Sequence, residues 1–205
     1  MARYTWLLDP GHGGIIDGVY QTAGKRSPAF ADGSVLYEGD CNREVVRHLK
    51  KFCRNNGIEH VDVVDSLEDI PLRVRIQRAN AIHREKGNCI YLSVHCNAFG
   101  NGKDFNSAKG TCCFHHYASK KGERLALSLQ KHLSDLTNFR DRGIRANDTW
   151  ANFYVLRKTH MPAVLSENGF MTNYDDATML MDPIVRRNIA RAHFSMIQEI
   201  EEDGL

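Results

Sequence analysis

A chain of 205 residues that is 42% hydrophobic and 25% charged has the makeup of an ordinary globular domain, with room for one substantial core. Its 27 basic residues against 25 acidic ones leave a formal charge of +2, which excludes the basic footprint that duplex nucleic acid needs. No run approaches the roughly 18 apolar residues of a membrane span, and Met1 leads into a strand-like segment rather than a secretory leader, so no membrane insertion and no export signal are expected.

In chain order, Thr5 to Leu8 is a short β-prone run that ends at Asp9-Pro10-Gly11-His12-Gly13-Gly14, where Pro and Gly force a sharp turn. Residues 15–37 show no sustained period and read as a long functional loop. A helix follows, with Val45, Val46, Leu49, Phe52 and Cys53 on one stripe, Glu38 at its head and Gly57 just beyond its end. Glu59 to Val64 predicts a strand, Leu72 to Arg84 a helix on Val74, Ile76, Ala79, Ala81 and Ile82, and Cys89 to Val94 a buried strand stopping at His95. Gly110 to Tyr117 predicts a strand, and Leu125, Leu129, Leu133 and Leu136 mark one helix face. Asn152 to Leu156 and Ala163 to Leu165 predict two more strands before a closing helix on Val185, Ile189, Ala192, Met196, Ile197 and Ile200.

Strands alternating with helices predict an α/β fold, a single domain over residues 1–205 with a mostly parallel twisted sheet and helices on both faces. No repeat, low-complexity tract or Pro-rich linker marks a boundary, and no separate binding domain is visible. In such sheets ligands bind outside the carboxyl ends of the strands, where His12, His95 and Glu167 are all expected, with Glu38 on the same rim. Two histidines and a carboxylate suffice for a hydrolytic zinc site that keeps one position open for water. Taken singly, each residue has an ordinary reading: a satisfied polar histidine, a carboxylate complementing a helix dipole, a salt-bridge partner. Their coincidence at one rim points to a site without naming a reaction. The six cysteines form no CxxC pair and are expected to be buried free thiols of a reducing cytosol. The pairs Lys50-Lys51, Lys120-Lys121 and Arg186-Arg187 read as solvated helix faces.

Three segments carry a resemblance. Leu8-Asp9-Pro10-Gly11-His12-Gly13-Gly14, Ser93-Val94-His95-Cys96-Asn97-Ala98 and Pro162 to Asn173 are similar, in that order, to the DPGHGG, S-x-H-x-N-A and P-x-x-L-x-E-x-G-F-x-x-N motifs of the zinc-dependent N-acetylmuramoyl-L-alanine amidases. Leu72, Arg75 and Ala79-Asn80 fit that family's L-x-x-R-x-x-x-A-N helix, and Glu38 with Asn42 its acidic ligand at the first helix. The likeness runs from about Tyr4 to Ile200. It implies one zinc ion held by His12, Glu38 and His95, and Glu167 as the catalytic acid and base. It further implies hydrolysis of the amide between N-acetylmuramic acid and L-alanine in bacterial peptidoglycan. Two departures stand out: a long 12–38 loop containing Lys25-Arg26-Ser27-Pro28, and Asp65 where many members have an arginine.

Asn97 and Asn168 are candidates for substrate positioning or for supporting hydrogen bonds, and equally for turn formation. At most one of His115 and His116 can face the site, because they alternate across a strand; they, His132 and His160 are expected at the surface. Cys96 is expected to point away from His95. The alternatives are a zinc peptidase or deacylase of related build, and a peptidoglycan-binding module without catalysis. A cell-wall enzyme that starts directly at its catalytic domain resembles a phage or prophage lysin, made in the cytoplasm and acting on the wall after release.

Overall fold

The computed structural model describes residues 2–147 and 152–205; Met1, on which the reading of a missing leader turned, lies outside them. Its elements are β1 (Thr5–Pro10), β2 (Ile15–Ile16), β3 (Val19–Tyr20), α1 (Glu38–Asn55), β4 (His60–Asp62), α2 (Leu72–Lys86) and β5 (Cys89–Asn97), followed by β6 (Thr111–His116), α3 (Lys120–Leu136), β7 (Asp141–Asn147), α4 (Tyr154–Lys158), β8 (Ala163–Phe170), α5 (Tyr174–Met181) and α6 (Pro183–Asp203). The main sheet has the order β4-β1-β5-β8-β6-β7. Its pairings are parallel except β6 with β8, which is antiparallel, so β6 and β7 run against the other four strands.

Both faces of the sheet are covered, which is why its central strands are apolar throughout rather than alternating. Trp6, Leu8, Ile90, Leu92 and Val94 pack under α1, α3 and α6, against Val45, Leu49, Leu129, Leu133, Ile189 and Ile197. Leu7 and Tyr91 point the other way, toward α2 and α4, where they join Ile76, Ala79, Val155 and Leu156. The expected α/β domain with helices on both faces is therefore what the chain forms. No helix among the described residues is long and apolar enough to cross a membrane.

Several elements differ from expectation, each for a physical reason. Asn152 to Leu156 does not form a strand: Asn147 binds both backbone groups of Phe153, and the chain then turns into α4, burying Val155 and Leu156 in the second core. Packing here overrides β propensity. The place at the sheet edge is taken by β7, whose residues are mostly charged or small and whose pattern has only Ile144 as an apolar marker. Residues 15–37 contain the small hairpin β2-β3, closed by Asp17-Gly18 with φ of 49° and 77°, the turn that a two-residue hairpin favours. Helix α5 begins with the Asn173 side chain accepting from the Asp176 amide at 3.1 Å. In α2, Ala81 is exposed, and the fourth position of the buried stripe is filled by Arg75.

His193 of α6 is fully buried, its ring 2.8 Å from both the Ile189 carbonyl and the Ser166 hydroxyl. Burial pushes its pKa down from 6.5 to about 4. The unfolded chain therefore takes up a proton first as pH falls. The stability that this residue contributes is complete above pH 6.5 and is lost toward pH 4, by about 3 kcal/mol. Denaturant unfolding at stepped pH should show that slope, and His193→Gln should flatten it; an unchanged slope would contradict the assignment.

Candidate metal centre and catalytic site

The parallel strands β1 and β5 end side by side, with Asp9 opposite Ser93 and Pro10 opposite Val94, so the residues that follow them emerge at one rim. His12 leaves β1 with φ 67°, a left-handed conformation that a non-glycine residue adopts only when its surroundings hold it there. Arg75 and Arg43 provide that hold. Arg75 donates from Nη1 to Asp9 Oδ1 at 2.7 Å and to the Pro10 carbonyl at 2.7 Å, and from Nη2 to the His12 carbonyl at 3.1 Å. Asp9 is closed on its other oxygen by the Tyr91 hydroxyl at 2.5 Å and that of Ser93 at 3.0 Å. Arg43 adds a bond to the His12 carbonyl at 2.7 Å.

Two glycines permit the close approach of the elements. A Cβ on Gly11 would lie 2.1 Å from the His95 ring, and one on Gly39 would lie 1.8 Å from the Gly13 carbonyl oxygen. Helix α1 can thus start directly against the His12 turn, with Glu38 as its first residue. The long loop returns to brace this contact: the Gly13 amide donates to Thr22 Oγ1 and the Gly39 amide to the Tyr20 hydroxyl, both at 2.8 Å.

Glu38 Oε1 lies 3.2 Å from His12 Nε2 and 3.2 Å from His95 Nδ1, and the two imidazoles stand nearly perpendicular at 89°. One ligand atom from each of the three residues falls within 4.8 Å of the others. Donors about 2.1 Å from a common zinc at tetrahedral angles would be about 3.4 Å apart, so this set fits the ion. Burial disfavours the charged Glu38, yet the hydrogen bonds and charges of His12 and His95 prevail and bring its carboxyl down to about 2. For His95 burial is the largest single influence and pulls downward, but the hydrogen bond and charge of Glu38, with the charges of Glu167 and Asp9, together exceed it and the net direction is up. Cys96 donates its amide to Glu38 Oε1 at 3.2 Å while its thiol turns toward Cys41 and Asn42, as strand alternation requires. All six cysteines are free and buried.

Glu167 sits within β8, in register with His95 of β5 on one side and Cys112 of β6 on the other. It is 7% exposed, and its Oε2 has no hydrogen-bond partner. Burial pushes its carboxyl up to about 8, against the opposing pull of His95 and with a further upward push from Glu38. A cavity of about 340 Å³ joins Glu167 to His12, Glu38 and His95, and its wall includes Lys25, Leu72, Asn97, Phe153, Tyr154 and Met171. The structure therefore brings His12, Glu38, His95 and Glu167 together and sets Asn97 on the cavity wall. Asn168 lies elsewhere: it is 1% exposed, faces away from the cavity and donates to the His95 carbonyl and to Ser166 Oγ, both at 3.0 Å.

The remaining histidines are away from the site. Because β6 runs antiparallel to β8, its carboxyl end is at the opposite end of the sheet, with His115 beside Val164. Neither His115 nor His116 faces the site, and His115 is buried rather than at the surface. His132 is half-buried and pairs with Glu199 at 2.9 Å. Lys25, Phe153 and Tyr154 are wall residues that sequence reasoning gave no role. No local pattern marks them, since the fold of the long loop and of α4 brings them there. Asp65 is exposed and lies 3.5 Å from Arg78.

The family model described as N-acetylmuramoyl-L-alanine amidase matches residues 7–199. The chain is 31% identical over 208 residues to the endolysin of Bacillus phage SPP1, covering 98% of this chain and 66% of that protein. It is 28% identical over 190 residues to the N-acetylmuramoyl-L-alanine amidase LytC of Bacillus subtilis (strain 168), covering 92% of this chain and 34% of LytC, so it spans about a third of that relative. The crystal structure of the N-acetylmuramoyl-L-alanine amidase from Clostridium difficile 630 superposes with a TM-score of 0.80 at 26% identity over 100% of both chains.

Proposed function

The chain belongs to the N-acetylmuramoyl-L-alanine amidase family, and from that premise we propose that it is a zinc-dependent hydrolase of the amide between N-acetylmuramic acid and L-alanine in peptidoglycan. The observation that carries the reading is the convergence of His12, Glu38 and His95 with the unpartnered carboxyl of Glu167 on one cavity. His12, Glu38 and His95 would hold a single zinc ion, which supplies Lewis-acid polarisation of the amide carbonyl and a nucleophilic water at neutral pH.

The chain's own residues do the rest. Glu167 takes a proton on its carboxylate as attack begins, and returns it to the departing L-alanine nitrogen. Its carboxyl, held near 8 by burial, exchanges a proton close to neutrality; a divalent cation beside it would draw that value down. Asn97 sits on the wall where substrate would lie. Asn168 acts as a positioning residue, tying β8 to the His95 backbone. Leu72, Phe153 and Met171 line the cavity with apolar surface that excludes water from the bond being cut.

The reading of the enzyme as a phage or prophage lysin draws on its likeness to the SPP1 endolysin over nearly the whole chain. Digestion of purified peptidoglycan should release stem peptides with a free L-alanine amino terminus, and a chelator should abolish the release. Products with intact muramyl-alanine linkages would refute the assigned bond.

A further inference from the structure

The long loop between His12 and Glu38 holds one of its residues in a definite place. Thr22 and Lys25 close a tight turn, the Lys25 amide donating to the Thr22 carbonyl at 3.3 Å, and Gly24 supplies the φ of 79° that the third place of a type II turn requires. The Thr22 hydroxyl accepts from the Gly13 amide and donates to Asp69, both at 2.8 Å, so the turn starts from the His12 segment. It ends at the head of α1, where the Lys25 carbonyl accepts from the Glu38 amide at 3.0 Å. Arg26 then bridges Tyr37, and the Ser27 amide donates to the Leu36 carbonyl at 2.8 Å. The backbone of Lys25 is thereby fixed between two residues of the metal centre, by bonds in which its own side chain takes no part.

Lys25 lies on the wall of the metal-centre cavity, and it alone of the described lining residues is a lysine or arginine. Among the described residues no ion pair or hydrogen bond engages its ammonium. Its field reaches Glu167 all the same: burial raises that carboxyl, His95 opposes the rise, and Lys25 adds to the opposition. The carboxylates of Glu38 and Glu167 balance a divalent ion, so with neutral imidazoles the lysine carries the surplus positive charge of the site. Hydrolysis of a neutral amide moves one negative charge inside such a site. Water gives its proton to Glu167 and its oxygen to the carbonyl carbon, while the π pair of the carbonyl passes to the amide oxygen. When the C–N bond breaks, that pair re-forms the carbonyl and the nitrogen takes the proton from Glu167. Negative charge thus leaves Glu167 and gathers on the amide oxygen, and an ammonium on a flexible stem can follow it across the cavity.

We propose that Lys25 is a further catalytic residue of the amidase reaction, its ammonium donating a hydrogen bond to the amide oxygen as that oxygen becomes negative; the inference rests on the amidase reading above. The loop that departs from the family pattern is then part of the reaction, with its backbone bracing the metal donors and its one cavity-lining cation serving the transition state.

On a soluble muropeptide, Lys25→Met should lower kcat by about 10- to 100-fold with KM little changed, less than the loss of a fully enclosed oxyanion donor because the lysine is exposed to solvent. Lys25→Arg should keep part of the rate. Arg26→Gln removes a neighbouring charge that does not line the cavity, and it should behave as wild type. Zinc content should stay at one ion per chain in all three variants, since the backbone bonds of the loop survive. Binding gives a second readout. A muropeptide with an anionic phosphonate in place of the scissile amide should bind Lys25→Met about tenfold or more weakly than wild type, whereas one with a neutral alkene there should bind both alike. A kcat for Lys25→Met within about twofold of wild type overturns the inference. So does an equal loss of affinity for the two isosteres, or a fall in Arg26→Gln as large as that in Lys25→Met, which would mark the charge of the loop as a whole. Failure of zinc-loaded wild type to cut the muropeptide would instead bring down the amidase reading itself.

Discussion

Glu167→Gln is expected to lower kcat on muropeptides by about 10² to 10⁴ while zinc content stays at one ion per chain. The substitution keeps the size and shape of a side chain whose carboxyl is buried between β5 and β6 and is not among the three metal donors. What it removes is the capacity to carry a proton. Glu167 lies on the wall of the same cavity as the three metal donors, so its carboxyl is the group placed to serve the bond being cut. Metal analysis beside a turnover assay separates this result from simple loss of the site: His12→Ala should lose zinc and turnover together. Turnover of Glu167→Gln at the wild-type level would remove the acid and base role.

Arg75→Met is expected to cost about 3 to 5 kcal/mol of stability, because it leaves Asp9 charged and buried with its main partner gone. Arg75 is 1% exposed and is bonded to Asp9 and to the carbonyls of Ile70, Pro10 and His12. Its removal frees the turn that keeps His12 in a left-handed conformation, so zinc affinity should fall with stability. Denaturant unfolding and zinc titration measure the two effects. The double variant Asp9→Asn, Arg75→Met should recover part of the stability, since the orphaned charge is gone. A loss below about 1 kcal/mol in the single variant would show that the network contributes little.

The parts of this architecture legible in the sequence are those that local chemistry writes. Pro10 and Gly11 end β1 and deliver His12; the stripe from Val45 to Cys53 fixes α1 and puts Glu38 at its head; the apolar run into His95 marks a central strand. Convergence of these residues followed from the parallel rim. Strand direction, by contrast, leaves no mark on the residues of the strand, so the reversal of β6 could not be read, nor could the exile of His115 and His116 to the far end. Strand β7 was hidden because an edge position asks little burial of it. The Asp17-Gly18 turn and the Asn173 cap do carry local signals, but one is masked by a loop rich in small residues and the other by the Glu167 motif directly before it. Beside Glu167, Asn168 is open in the sequence to substrate positioning, a supporting hydrogen bond or a turn, and strand alternation sets its side chain on the other face, where it donates to the His95 carbonyl.

The outermost position of β7 has a bearing on how these molecules coexist at high concentration. An open strand edge is a template on which a second chain can add and aggregate. Here that edge carries Asp141, Arg142 and Arg145 and is kinked at Gly143, while the opposite edge is only the three residues of β4. Charged side chains and a broken hydrogen-bond ladder keep neighbouring copies from zipping together, so replacing both arginines by apolar residues should make the enzyme prone to precipitate.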